Sequence, residues 1–300
     1  MEDRAKKIKA IKTLVIYVGI IFAACSTFLS VLGINHESGF PEGGGNLLYL
    51  ICPMIFALTL AVRGYARRTY EADELISAEK LKGSIPLMLG GLVCAGAFML
   101  SAIDAFRQRG YAYTKLDAML LTVLGLTAAA SAVVMFVSAL SEFAEGDTSK
   151  VAYLRIVVIA YLAIYTLYIF KGYTIILSIP LQILHIFALV CALVFLLESA
   201  KAYAGIGGAS KNLTVTSLAW IATLVYVVTE FTLLALKDSV FSLEFTTGFI
   251  VEIALLIYIT VFALKAPNCV AEKVEEQPEE TEETVEIEKT EETVDEITEE

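Results

Sequence analysis

The sequence predicts an all-α, polytopic integral membrane protein: a helical bundle of about eight transmembrane helices followed by a disordered acidic C-terminal tail. Three observations carry this expectation. Eight apolar segments follow one another from Ile11 to Lys265, each near the roughly 20 residues that cross a hydrocarbon core of about 30 Å. The chain has 300 residues, of which 57% are hydrophobic and 18% charged, whereas soluble domains are about 45–50% apolar; its mean hydropathy is +0.72. The excess of acid is concentrated in residues 271–300 and not spread over a soluble surface. Barrel strands of about 10 alternating residues do not fit these segments, and a helix satisfies its own backbone groups in lipid.

Residues 1–10 are a short basic N-terminus, 11–265 the transmembrane domain and 266–300 the tail. The expected spans are Ile11–Ile34, Leu47–Val62, Ile85–Asp104, Leu116–Leu140, Val151–Phe170, Ser178–Glu198, Leu213–Leu236 and Ser242–Lys265. The first is too long for a signal peptide and no convincing small-residue cleavage site follows it, so it is expected to be retained. The second is the shortest and contains Pro53, while Pro86 and Pro180 fit helix starts, where a missing N–H costs little. Gly90, Gly91, Ala95 and Gly96 in the third span and Gly125, Ala128, Ala129, Ala130 and Ala132 in the fourth predict a close helix pair, because small residues let backbones approach in lipid.

The connections carry their own signals. Arg63–Gly83 places Ala72, Leu75, Ile76 and Leu81 among charges at partly helical spacing, which predicts a short helix on the membrane surface with Arg67 and Arg68 near headgroups. Tyr65-Ala66, Phe143-Ala144 and Tyr203-Ala204 recur after alternate spans, a hint of a repeated two-helix unit.

Orientation follows from Lys and Arg, which cytoplasmic loops retain. With the N-terminus inside, 17 of the 22 basic residues fall on the inner side and 5 on the outer, so both termini are expected in the cytoplasm and the protein in the plasma membrane. The formal charge of -11 belongs to the tail: residues 271–300 hold 15 acids and 2 Lys, leaving 18 acids against 20 bases elsewhere. The tail nearly repeats itself, at Thr281–Lys289 and Thr290–Thr298. Without aromatic residues it cannot offset its ordering entropy and is expected to be disordered. It offers a docking segment for a basic protein partner, or a solvated extension that needs none.

Several chemistries lack their residues. Cys25, Cys52, Cys94 and Cys191 lie in apolar spans, and juxtamembrane Cys269 is a free thiol or a palmitoylation site. With two histidines and no ligand spacing, neither a metal nor a cofactor is expected. No His-Glu-x-x-His, Gly-x-Ser-x-Gly, phosphate loop or Asp-rich diphosphate signature occurs, so an enzyme is not expected. Without a basic face, nucleic acid is not expected as a partner either.

Function therefore rests on polar groups inside the hydrocarbon, which are costly there and usually face the bundle interior. Gln182 and His185 in the sixth span and Glu230 in the seventh fall roughly 5–10 Å below the outer boundary at 1.5 Å per residue, and Glu252 in the eighth near mid-bilayer, a similar level. Tyr161, Tyr165 and Tyr168 share one face of the fifth span, Thr223, Tyr226 and Glu230 one face of the seventh, and Gly248 sits a turn before Glu252. These predict a polar pocket between spans five and eight, opening outward. Two carboxylates and a histidine suit a proton, a cation or a small hydrogen-bonding solute, so the chain reads as a multi-pass membrane protein of undefined role whose pocket suits small-solute, cation or proton transport. The alternative is a non-catalytic receptor, scaffold or accessory subunit, the acids only tying helices together. Asp104 and Asp117 flank a basic outer loop and are expected in interfacial ion pairs; Arg155 and Glu198 are expected to snorkel at the inner ends.

Overall fold

The computed structural model describes residues 2–34, 41–71, 74–112, 114–143, 148–173, 180–236 and 247–270. The predicted tail disorder lies outside them, as do the expected starts of the sixth and eighth spans at Ser178 and Ser242. Its helices are α1 (Glu2–Gly33), α2 (Ile51–Thr69), α3 (Ala78–Leu81), α4 (Ile85–Arg109), α5 (Lys115–Phe143), α6 (Thr148–Leu154), α7 (Ile156–Tyr173), α8 (Pro180–Tyr203), α9 (Ala209–Leu236) and α10 (Thr247–Lys265), and a 3-10 segment, Gly43–Leu50, leads into α2. Among the described residues eight helical stretches are long and apolar enough to cross a membrane, with α6 and α7 forming one span broken at Arg155. The protein is a multi-pass membrane protein.

Local chemistry sets several helix ends. Thr114 caps α5 by accepting from the Asp117 amide at 3.0 Å, and Ser77 accepts from the Lys80 amide to start α3. Pro86 and Pro180 open α4 and α8, and Pro53 also falls in the first turn of its helix, so none breaks a span. Gly205 turns the chain out of α8 at φ 74°, a conformation that side chains disfavour.

α9 is the hub, packing against α1, α2, α8 and α10; α4 pairs with α5 and α10, and α7 bridges α5 to α8. One stripe of α1, made by Ile8, Ile11, Val15, Gly19, Ala23, Ser26 and Ser30, is buried, while Tyr17, Ile21, Phe28 and Leu32 face outward. Thr229 of α9 donates to Ser26 at 3.0 Å, and Gly19 lies under the Trp220 ring, where a Cβ would come within 2.5 Å. The expected pairing of the third and fourth spans is present: Gly91 packs on Ala139 and Gly125 on the Phe106 ring. Gly90 faces the other way and admits Tyr258 of α10.

The connection after α2 departs from expectation. α2 itself carries Arg63, Arg67 and Arg68, and helix in the loop is limited to α3. Ile76 and Leu81 are 2% and 0% exposed, so their apolar groups turn into the protein and do not lie on the bilayer surface. The loop acts as a clasp instead. The Ile76 amide donates to Gly207 O, the Ala209 amide to Glu74 O and the Ser77 amide to Cys269 O, each at 2.8 Å. Lys265 donates to Leu81 O and Lys82 O, and Tyr70 to Pro267 O at 2.9 Å. The aromatic-Ala pairs share no environment, since Tyr65 and Phe143 are exposed and Tyr203 is buried; the packing therefore gives no support to a repeat.

Candidate functional site

Helical phase brings the polar residues of α4, α7, α8, α9 and α10 to one level. Gln182 and His185 lie one turn apart on α8, 4% and 5% exposed; Thr223, Tyr226 and Glu230 form a buried stripe on α9; Glu252 of α10 is 3% exposed. His185 Nε2 meets Glu252 Oε1 in a buried ion-pair geometry, and its ring stacks on Tyr226 with centroids 4.4 Å apart and planes 3° from parallel. Glu230 is near enough to interact electrostatically with both His185 and Glu252. Tyr161 stacks on Tyr165 at 6.0 Å and shares a 2.9 Å hydrogen bond with Ser101 of α4.

These groups border a cavity of about 200 Å³, room for about six waters at ~30 Å³ each. His185, Tyr226, Glu252, Tyr165, Tyr168 and Gly248 line it together with Ser101, Asp104 and Gln108 of α4; Glu230, Gln182 and Tyr161 are buried but are not among its lining residues. At the rim Asp104 accepts from Thr247 at 2.7 Å and from Gln108 at 2.8 Å, so it belongs to the cavity mouth and not to the expected interfacial pair. Asp117 does form an ion pair, with Lys171 across α5 and α7. Ser101, Asp104, Ala105 and Gln108 share one face at offsets of zero, three, four and seven, a signal in the sequence that the Arg and Lys of the adjoining loop mask.

Buried oxygens are normally paired. Here Glu230 Oε1, Glu252 Oε2, Gln182 Oε1 and Thr223 Oγ1 are buried with no hydrogen-bond partner among the described residues. Three of the four are pure acceptors on neighbouring faces of α8, α9 and α10, a set that favours a proton, a cation or a hydrogen-bond donor. Among the described residues no group of three His, Cys, Asp or Glu side chains is placed to hold a metal ion.

A second polar layer lies six residues before Tyr161, at Arg155, and six residues after Glu252, at Tyr258, roughly 9 Å deeper at 1.5 Å per residue. Arg155, expected to snorkel, is 3% exposed. Its Nη1 donates to Tyr258 OH at 2.6 Å, its Nη2 and Nε to Ser138 Oγ at 2.6 and 3.2 Å, and its guanidinium lies 3.8 Å above the Tyr203 ring. The break between α6 and α7 occurs at this residue and turns the side chain into the bundle. Glu198 is likewise buried, 2% exposed, and pairs with Lys201 at 3.0 Å and Lys211 at 2.8 Å. Cys269 is also enclosed: its thiol donates to Lys80 O, and burial pushes it above its ordinary range despite Lys265 and Lys80 nearby, which disfavours acylation there.

No protein-family model matches the chain, and no curated protein or solved structure matches it significantly.

Proposed function

We propose that this protein is a transporter in which His185, Glu230 and Glu252 exchange a proton, or bind a small cation or hydrogen-bonding solute, at the foot of the cavity between α4, α5 and α7 to α10. The supporting observation is that Glu230 Oε1, Glu252 Oε2 and Gln182 Oε1 are buried without a hydrogen-bond partner among the described residues, Glu252 being itself the partner of His185 through its other oxygen. Leaving such atoms unsatisfied costs about 1–3 kcal/mol each, a cost that a bound cation, donor or proton removes. Histidine changes charge near neutral pH in water, and a carboxylate beside it is its natural exchange partner. The role assigned is non-catalytic: the residues bind and relay, and no bond of a substrate is broken.

The basic residues favour both termini in the cytoplasm of a cell bounded by the plasma membrane, and moving Arg155 from the inner count to the interior leaves that asymmetry intact. The cavity mouth at Asp104, Gln108 and Thr247 then faces outward. Melting temperature of purified wild type, Glu230→Gln and Glu252→Gln across pH and a panel of cations and small solutes tests the reading. Gln keeps shape and hydrogen bonding, so the variants should fold while losing the pH or cation response. Identical responses in all three would leave the acids as helix ties in a receptor, scaffold or accessory subunit.

A further inference from the structure

At the opposite end of the bundle from that mouth, a cleft of about 580 Å³ lies between the end of α2 and the start of α9. Arg63, Arg67 and Lys211 line it, with Glu71 on the same wall. Arg63 and Arg67 are exposed, Lys211 is 63% exposed although it touches Glu198, and Arg63 is close enough to Lys211 to repel it electrostatically. Like charges gathered at one opening invite an anionic occupant, because the field of the group exceeds that of any one member.

The clasp delivers one. Val270 is bridged to Ile76, and the next residue of that loop, Leu75, is bridged to Gly208 on the cleft wall; Lys80 also holds Val270 O at 3.1 Å. Two spacings of about 4.8 Å put Val270 roughly 10 Å from the cleft, which three or four extended residues at ~3.3 Å each cover. The segment that starts there holds 15 acids and 2 Lys in residues 271–300. Glu275, Glu276, Glu279 and Glu280 fall at the distance where the chain reaches Arg63, Arg67 and Lys211. We infer that the acidic tail docks on this chain's own Arg63–Arg67–Lys211 cleft. A tether this short holds the acids at an effective concentration on the order of millimolar, an advantage that a free peptide or an untethered headgroup lacks. The basic partner is thus intramolecular, and the attraction is salt-sensitive, since screening shortens from about 14 Å near ~0.05 M to about 4 Å near ~0.5 M.

The full-length protein, isotope-labelled and placed in nanodiscs of zwitterionic lipid, gives the test by amide NMR, in which freely tumbling residues are sharp and docked ones are broadened away. At low salt the amides around Glu275–Glu280 should be lost from the spectrum of wild type. They should reappear at high salt, in Arg63→Ala/Arg67→Ala, and in Glu275→Gln/Glu276→Gln/Glu279→Gln/Glu280→Gln, which alters nothing in the bundle. Sharp signals from this stretch in wild type at low salt would overturn the inference, as would broadening that both variants leave unchanged. If the tail is sharp and the Arg variant instead loses binding to anionic-lipid nanodiscs, the cleft belongs to a lipid headgroup and the inference fails.

Discussion

Replacing Arg155 by Lys separates two accounts of a basic residue near a helix end. A snorkelling side chain keeps its head in water, and Lys and Arg do this almost equally well, so the exchange would be near neutral. The structure predicts otherwise. A lysine ammonium keeps the charge but cannot span Ser138 and Tyr258 while lying 3.8 Å over Tyr203. Losing one hydrogen bond from a charged donor costs about 1.5–3 kcal/mol, and losing a desolvated cation–π contact costs about 2 kcal/mol more. A total near 4 kcal/mol corresponds to a fall in melting temperature on the order of 10 °C at about 2–4 °C per kcal/mol. Thermal melting of purified Arg155→Lys, followed through Trp220 fluorescence, reads this directly. Tyr203→Leu and the double variant complete a cycle whose coupling should exceed about 1 kcal/mol. An Arg155→Lys melt within a degree of wild type, with no coupling to Tyr203, would refute the buried clamp.

Three further outcomes are expected. Gly91→Leu should destabilise by about 1–3 kcal/mol through overpacking against Ala139, whereas Gly96→Ala, which meets nothing within 4 Å, should leave the melt unchanged or raise it by roughly 0.5–1 kcal/mol; equal effects would contradict the pairing of α4 and α5. Cys269, buried and with its thiol pushed up, should react slowly with maleimide at neutral pH, faster as pH rises, and fully after unfolding, as mass spectrometry reports; stoichiometric labelling of the folded protein at neutral pH would contradict its enclosure. On a Cys-free background, impermeant thiol reagent applied to intact cells should label Gln108→Cys and spare Lys211→Cys, and the reverse pattern would invert the orientation.

Span number and the α4 and α5 pairing were legible because both are local signals: apolar length sets the first and a run of small residues the second. The polar level of His185, Glu230 and Glu252 was legible because position along a helix gives depth at a fixed rise. Rotational phase was harder. Helices apolar on every side conceal which face turns inward, so Arg155 and Glu198 read as end residues when the break before Ile156 and the two lysines beside Glu198 enclose them. Asp104 reads as a loop-pairing residue, yet besides Gln108 it binds Thr247, 143 residues away. The clasp left no pattern at all, because its bonds, backbone to backbone or from a side chain to a backbone carbonyl, join segments far apart in sequence, and such bonds depend on which loops the bundle brings together.

That sequence separation also governs timing. Lys80 and Val270 are 190 residues apart, and Cys269 and Lys80 are 189 apart, so these bonds cannot form until α10 has been made and inserted. Contacts of such long range close late, after shorter ones have reduced the entropy of bringing the ends together. Until α10 is in place, the loop after α2 lacks the Val270, Cys269 and Lys265 contacts that close over Ile76 and Leu81 in the finished protein. Its closure therefore marks the arrival of α10: a copy that stalls or is cut before Lys265 lacks these bonds and leaves the loop open, a sign of unfinished assembly for chaperones and proteases that survey exposed hydrophobic segments.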